Sequence, residues 1–539
     1  MASALKTYSG TQKARKTLTP ETVRTPGRTD EVKNNAGGFV FGVSDKSRLE
    51  RFLILGTDGG TYYVGQKKLT EQNTEFLRKM IRENEPLVLD TIVSVSDEGR
   101  AYKNSPALFA LALVMTEGTN KARARAAVEK VARTSTHLFE FAQYIDDLGG
   151  WGRAKRKAVA AWYEDKDAGS LAYQAVKYRQ RDGWTHRDLM RLSHPEGVDQ
   201  NVGNFILGRE VEVGAVDLID GFKAMQAATT EKEVLRVLGL YRSLPWETIP
   251  TQFLKSSDVW KTLFYNGQVK GQALLRNITR LSRIGAFSDM KFAGDYAKAL
   301  TDKEMLRKTR VHPINVLNAL VTYTEGQVQR GSDSWYGASR NKDWTVSPRI
   351  VDALNTAFHL SFKTIEPAGK RTMLALDVSG SMSQMANGLD LSCAQVGAAM
   401  AMTIARSEPY YDVMGFSTQF RDLGVSASDS LSQTLRKVYG LPFAGTDVST
   451  PMRYALEKGI AVDTFVILTD NETYGGSAKP FQMLKKYRKE TGIDARVAVF
   501  GVASTEFTIA DPTDRGMMDF VGFDSAAPRV LADFSAGRL

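Results

Sequence analysis

Met373-Leu374-Ala375-Leu376-Asp377-Val378-Ser379-Gly380-Ser381-Met382 decides how this chain is read, because an apolar run delivers an aspartate directly into a Ser-Gly-Ser loop. A short apolar run ending in a turn signal marks a strand buried on both faces, as in the sheet of a doubly wound α/β domain. Ligands of such sheets gather beyond the carboxyl ends of the strands. Asp377, followed by the hydroxyls of Ser379 and Ser381, therefore stands where a divalent cation would be met. Oxygen-only donors favour a hard ion, Mg²⁺ foremost. The same residues could instead cap a helix and open a turn. What separates the two readings is whether further donors recur downstream in matching places.

They do recur. Ala444-Gly445-Thr446-Asp447 opens a helical pattern, and Thr464-Phe465-Val466-Ile467-Leu468-Thr469-Asp470 is a second apolar strand ending in Asp. The set resembles the metal-ion-dependent adhesion site of von Willebrand factor A domains, which implies Asp377, Ser379, Ser381, Thr446 and Asp470 as ligands. With one carboxylate in the first triplet, such a site leaves net positive charge on the metal and invites an acidic group from a partner.

Around these residues the pattern alternates. Strands are expected at 373–378, 412–416, 464–469 and 495–502, with helices at 391–406, 429–438, 451–458 and 479–489 between them. That is a parallel sheet with helices on both faces, a doubly wound, Rossmann-like A domain over residues 369–539. The sequence leaves open where the segment from Asp511 to Leu539 packs.

From Pro106 to Phe362 the period is helical, with helices expected at 122–131, 153–163, 171–178, 231–241, 271–284 and 314–323. Many short helices in series imply an α-solenoid of helix pairs, although no clean repeat is visible. Upstream, residues 51–64 show two apolar runs around a Gly-rich turn and read as a β-hairpin; a phosphate loop would need a Lys-Ser/Thr ending that Gly56–Gly60 lacks.

At 539 residues two or more domains are expected. Charge is divided unevenly. Residues 1–370 carry 55 Lys and Arg against 42 Asp and Glu, whereas residues 371–539 carry 16 against 19. The first part is thus the candidate polyanion binder. The single cysteine, Cys393, rules out an intrachain disulfide and a Cys-rich zinc framework, consistent with a reducing cytoplasmic setting. Residues 1–29 lack the apolar core of a secretory signal and read as a flexible basic arm. No apolar stretch is long enough to span a bilayer.

The densest basic and aromatic stretch is Lys177-Tyr178-Arg179-Gln180-Arg181-Asp182-Gly183-Trp184-Thr185-His186-Arg187-Asp188-Leu189-Met190-Arg191-Leu192-Ser193-His194-Pro195. On helices, Lys177 and Arg181 would share one face, and Arg187, Arg191 and His194 another, with Thr185 as an N-cap between them. Cations beside Trp184 and Tyr178 would suit phosphates and unstacked bases; a solvated surface with Trp184 in the core is the competing reading. Trp151-Gly152-Arg153-Ala154-Lys155-Arg156-Lys157 adds to the basic surface.

Asn34-Asn35-Ala36-Gly37-Gly38-Phe39-Val40, Asp58-Gly59-Gly60-Thr61, Gly183-Trp184-Thr185-His186 and Arg191-Leu192-Ser193-His194-Pro195, followed by an A domain with Asp470-Asn471-Glu472-Thr473, resemble the Ro autoantigen (TROVE domain) family, its bacterial members most of all. The resemblance covers nearly the whole chain. It implies a ring of HEAT-like helical repeats over residues 30–368, closed by the A domain. It also implies a small noncoding Y-like RNA on the outer basic surface, and single-stranded ends of misfolded or structured RNA in a central hole. A tethered 3′ exoribonuclease such as polynucleotide phosphorylase is implied too. Lys177, Arg181 and His194 match family positions implicated in Y RNA binding. Where the family has Gly-Gly-Thr-Asp this chain has Ala444-Gly445-Thr446-Asp447, which leaves Thr446 in place.

Nothing in the sequence suggests turnover, and a monomer without catalysis is expected. There is no Walker A loop, no second carboxylate cluster for two-metal chemistry, and no His beside Cys393 in sequence. His186 and His194 as an acid–base pair is the remaining catalytic option, though phosphate contact fits them better. The alternative function is a metal-dependent protein-interaction subunit, of adhesion or chaperone type, that acts through the A domain.

Overall fold

The computed structural model describes residues 19–58, 60–61, 64–325, 344–362, 366–386, 391–417, 420–439 and 445–539. Two short strands come first, β1 (Glu31–Lys33) and β2 (Phe39–Gly42), paired antiparallel. Helices follow: α1 (Asp45–Leu55), α2 (Gln66–Asp97), α3 (Ser105–Glu117), α4 (Lys121–Val131), α5 (Ser135–Asp147), α6 (Arg153–Glu164) and α7 (Ala168–Lys177). A two-residue ladder, β3 (Gln180–Arg181) with β4 (Trp184–Thr185), interrupts them. The series resumes with α8 (His186–Ser193), α9 (Gln200–Leu207), α10 (Asp217–Ala227), α11 (Glu231–Leu240), α12 (Ser257–Tyr265), α13 (Gln272–Arg283), α14 (Met290–Leu300), α15 (Lys303–Lys308), α16 (Pro313–Glu325) and α17 (Pro348–Leu360).

Two kinds of helix build the ring. In α3 nearly every residue from Ala107 to Met115 is buried, so it is packed on all sides, and Pro106 sits in its first turn where no amide is lost. In α13 burial follows one stripe, Leu274, Leu275, Ile278 and Leu281, and Arg276 points to solvent. Contacts run between near neighbours in sequence: α2 with α3 and α4, α3 with α5, α4 with α6, α11 with α12, α16 with α17. That is a solenoid, and its ends meet at the turn after α2. There Arg310 donates to Asp97 Oδ1 at 2.8 Å and His312 Nε2 lies 3.0 Å from the Arg100 carbonyl, while Arg100 pairs with Asp524 of the A domain at 2.6 Å. The architecture is the expected one: a ring-shaped solenoid of HEAT-like helical repeats closed by a doubly wound A domain.

The hairpin expected over residues 51–64 is a correction. Asp45–Leu55 is helix, capped by Ser44 accepting from the Ser47 amide. Phe52-Leu53-Ile54-Leu55 is apolar without a period of its own, and the cap that settles it lies upstream of the window. Of the Gly-rich turn, Gly59, Tyr62 and Tyr63 lie outside the described residues.

The A domain comprises β5 (Thr372–Asp377), α18 (Cys393–Ser407), β6 (Tyr411–Phe416), β7 (Phe420–Asp422), α19 (Leu431–Tyr439), α20 (Thr450–Glu457), β8 (Thr464–Thr469), α21 (Pro480–Thr491), β9 (Arg496–Gly501), β10 (Phe507–Thr508), β11 (Met517–Val521) and α22 (Ala527–Ser535). Its sheet runs β11-β9-β8-β5-β6-β7. Five strands are parallel, but β7 is an antiparallel edge, so the sheet is mixed where a purely parallel one was expected. Successive β5 residues serve opposite faces: Leu374 and Leu376 join the core under α18, Met373 and Ala375 the core under α20 and α21. After β5 the chain goes to β6 on one side and returns to β8 on the other. The carboxyl end of β5 is therefore a switch point, where α/β sheets place ligands. The undecided segment after Asp511 supplies the outer strand β11 and then α22, which packs on α18.

The start of the chain is bound into the A domain. Strand β10 pairs antiparallel with β2, Thr508 opposite Phe41. Arg51, fully buried on α1, donates to the Thr505 and Phe507 carbonyls and pairs with Asp519. Of the arm expected over residues 1–29, residues 1–18 lie outside the described residues. Residues 19–29 are held in place rather than free. Thr19 Oγ1 donates to the Tyr474 carbonyl, and Arg28 pairs with Asp511 and stacks on Phe41 at 4.5 Å.

Candidate functional site

Asp377 is the last residue of β5 and is buried; Oδ1 accepts from the Ser379 amide at 2.9 Å and Oδ2 from Thr469 Oγ1 at 2.6 Å. The first bond is an Asx turn, which fixes the carboxylate over the loop that follows. Ser379 and Ser381 face each other, Oγ to Oγ 3.2 Å. Asp470 leaves β8 with the same device, Oδ1 accepting from the Glu472 amide at 3.0 Å. Thr446 is placed beside them by its backbone: its carbonyl accepts from Thr473 Oγ1, and the Asp447 amide donates to the Ser417 carbonyl at the end of β6. All five expected ligands thus sit on three loops at the switch point, each nine-tenths buried or more.

Burial raises both carboxyl groups above the usual carboxylate range, and for Asp470 repulsion from Asp377 adds to it. Two buried carboxylates with hydroxyl neighbours form a donor set that a hard dication would relieve. Among the described residues no group of three or more His, Cys, Asp or Glu could hold a metal, so this site would depend on hydroxyls as much as on acids. The residues fit Mg²⁺: Asp377, Ser379, Ser381, Thr446 and Asp470 would hold it.

The loop after Asp470 is gripped from the start of the chain. Asn34 Nδ2 donates to the Thr473 carbonyl at 2.8 Å, and Asn35 Nδ2 and the Ala36 amide donate to Glu472 at 2.7 and 2.8 Å. Gly38 passes so close that a Cβ there would lie 1.9 Å from the Thr473 oxygen. Glu21 is buried against Thr473 and Gly476, and burial lifts its carboxyl to about 7. Sequence reading missed these contacts, since nothing in a polar Asn-Asn-Ala-Gly-Gly turn announces a partner more than four hundred residues away.

The basic stretch divides. Lys177 ends α7, while Arg181 lies in the β3–β4 ladder, so the shared helical face expected of them is a correction: Gln180 and Arg181 pair with Thr185 and Trp184 across the Asp182-Gly183 turn, where both residues have positive φ. The two cations nonetheless line one cavity of about 810 Å³, with Tyr178 and Trp246. Arg187 and Arg191 project from α8 and are exposed, and His194 caps that helix in a left-handed conformation. Arg187 opens onto a different cleft, and neither Arg191 nor His194 lines the large cavity. His186 is in the core, 2.9 Å from the Tyr163 hydroxyl and edge-on to Phe139, and burial lowers it to about 4. It can therefore neither touch phosphate nor pair with His194. Trp184 is half-buried on Trp151 at 5.4 Å, and Lys155 donates to the Gly150 carbonyl.

The large cavity is lined by eight Lys or Arg residues against three acids. Sequence reading missed Arg133, Lys270, Arg276, Lys308 and Arg310, which come from separate turns of the ring and carry no local signal. Burial, with a smaller contribution from the neighbouring Arg310, pulls the Arg133 guanidinium down to about 10. His137, in the same wall, is held neutral by burial and by Arg133 and Arg181, at about 4. The whole surface is arranged to receive a polyanion.

The family model described as TROVE domain matches residues 32–233 and 236–336, and the Ro60 vWA domain model matches 371–535. The RNA-binding protein RO60 of Deinococcus radiodurans is 39% identical over 535 residues, covering 96% of this chain and 98% of that protein. That of Caenorhabditis elegans is 33% identical, covering 94% and 90%. The crystal structure of the Deinococcus radiodurans RO (RSR) protein superposes with a TM-score of 0.67 at 38% identity, covering 92% of this chain and all of that one.

Proposed function

The chain belongs to the Ro60 family of TROVE-domain proteins, and from that premise we propose that it is a non-catalytic RNA-binding protein. The cavity of about 810 Å³, with its excess of cations and with Tyr178 and Trp246 in its wall, carries this reading. Phosphates would be met by the guanidinium and ammonium groups and unstacked bases by the rings, the chemistry by which single strands are held. The cavity receives single-stranded ends of misfolded or structured RNA, and the outer surface bearing Arg187, Arg191 and His194 receives a small noncoding Y-like RNA. In that role the protein serves RNA quality control and tethers a 3′ exoribonuclease such as polynucleotide phosphorylase. Among the described residues no helix is long and apolar enough to cross a membrane.

At the A domain, Asp377, Ser379, Ser381, Thr446 and Asp470 would hold Mg²⁺, which would supply a point of attachment for a partner's carboxylate. The exposed side chains of Met385 and Tyr474 flank these loops and favour a second role in protein interaction. Fluorescence anisotropy with a labelled RNA that carries a structured stem and a single-stranded tail tests the main reading. Salt-sensitive binding that weakens when the tail is removed is expected. Absence of binding at low salt, with Mg²⁺-dependent capture of a protein instead, would turn the assignment to the A domain.

A further inference from the structure

The segment between α7 and α8 is a partition. On its inner side Lys177, Tyr178 and Arg181 face the large cavity; on its outer side Arg179, Gln180, Thr185 and Arg187 line a separate cleft of about 770 Å³. The far wall of the cleft is apolar and aromatic, with Phe205 and Ile206 from α9 and Phe222 from α10. Phe205 and Phe222 stand edge to face at 5.7 Å, and the Arg179 guanidinium lies over the Phe222 ring at 5.3 Å. Arg187 reaches across from α8 and rests on Gly208, where a Cβ would come within 2.1 Å of its Nη2. Gly208, left-handed at φ 72°, ends α9, so a helix-terminating glycine also makes room for the guanidinium.

Charge selects the occupant. Among the described residues neither Arg179 nor Arg187 has a carboxylate within 4 Å. The acid in the cleft wall, Asp188, is already engaged by the amide and hydroxyl of Thr185, whose cap it completes. Two uncompensated guanidinium groups flanking an aromatic wall match an anionic phosphate attached to a flat ring. The volume falls in the range of small-ligand sites.

We infer that this cleft takes one unstacked nucleotide of a single-stranded RNA, its base against Phe205 and Phe222 and its phosphate between Arg179 and Arg187. The inference rests on the RNA-binding reading above and deepens it, narrowing the outer surface that bears Arg187 to a single-nucleotide subsite separated from the cavity by the 178–187 partition. A strand held at both points is gripped on either side of that partition, with the outer nucleotide out of its stack.

The test uses the full chain and a short single-stranded RNA bearing 4-thiouridine, with anisotropy and mapped photo-crosslinks as readouts. Crosslinks to peptides containing Phe205 or Phe222 are expected. An Arg179→Gln/Arg187→Gln double variant, altered only at exposed positions, is expected to lose about tenfold in affinity and about 1.4 in salt slope, two phosphate contacts at about 0.7 each. Phe205→Ala is expected to lose the outer crosslinks while keeping those to Tyr178 and Trp246. Unchanged affinity in the double variant, or crosslinks confined to the inner cavity, overturns the inference and leaves the RNA reading standing. An acidic peptide that displaces the RNA from the cleft as well as free uridine monophosphate does overturns the nucleotide assignment. A parent protein that binds no RNA removes both.

Discussion

Replacing Lys177 and Arg181 with alanine tests how much of the cavity's charge is free to meet phosphate. For single strands each phosphate neutralised contributes about 0.7 to the slope of log affinity on log salt. Two full contacts would amount to about 1.4, or about a sevenfold difference in affinity between about 50 and 200 mM salt. The structure argues for less. Glu247 lies 3.9 Å from Lys177 Nζ with both side chains largely out of solvent, so Lys177 is partly neutralised before RNA arrives. Asp182 is 3.3 Å from Arg181, but that pair is exposed, screened and weak, so Arg181 keeps most of its charge. The double variant should therefore lose nearer to about 0.7, close to a 2.6-fold effect over the same range. Lys270 and Arg276 line the same cavity with no carboxylate within 4 Å among the described residues, so their double alanine variant should lose the full value, about 1.4. Anisotropy with a labelled single-stranded RNA at three salt concentrations measures both slopes. If the Lys177/Arg181 pair lowers the slope as much as Lys270/Arg276 does, the neutralisation by Glu247 is wrong. If neither pair moves it in a folded protein, the cavity is not the RNA surface.

Asp377→Ala removes the carboxylate of the first loop; calorimetry should register no Mg²⁺ binding while RNA affinity stays within about twofold, and a variant that titrates like its parent would exclude these residues as ligands. Glu21 has its folded pKa raised to about 7, so its contribution is fully present below the unfolded value near 4.5 and lost as pH rises through 7. Glu21→Gln should accordingly stabilise the protein at pH 8, by up to about 3 kcal/mol, with no gain at pH 4, in paired thermal melts. Arg51→Met leaves Asp519 without its cation and two carbonyls without the guanidinium donor, and should cost about 3 to 5 kcal/mol in urea unfolding; a loss under about 1 kcal/mol would show the interface to be wetter than described. Gly38→Ala should weaken Mg²⁺ binding several-fold by pushing on the Thr473 carbonyl, and unchanged calorimetry would separate the start of the chain from the metal loops.

Where a strand buried on both faces ends in an acid the sequence was sufficient to place that acid. Asp377 and Asp470 each close an apolar run, and Thr464–Thr469 was legible to the residue because a strand buried on both faces has no polar interruption. The edges of the same sheet were less legible. β7 is three residues long with Arg421 and Asp422 exposed, and β11 carries Asp519, because each has a neighbour on one side only. At the basic stretch the spacing of Lys177 and Arg181 suggested a helix, and the Asp182-Gly183 turn outweighed it: two consecutive positive φ values suit a tight hairpin. The two residues still face one cavity, through curvature of the ring rather than helical period. Lys270, Arg276 and Lys308 illustrate the limit. Each is an ordinary exposed cation in its own helix or turn, and only the closing of the solenoid makes them neighbours.

The pairing of Phe41 with Thr508 also has a consequence for how the molecule is made. A two-stranded ribbon is marginal alone, and β1–β2 is made before its partner, with one edge open and with Arg51, Asn34 and Asn35 lacking their acceptors. The segment that satisfies all of them lies more than four hundred residues further along the chain. The helices can assemble neighbour by neighbour as they emerge, but β1 and β2 must wait for that distant segment, and so long a loop closes slowly. During that interval a finished β10 from another copy would fit the waiting edge equally well. Exchange of β10 between copies is thus the misassembly that this pairing invites.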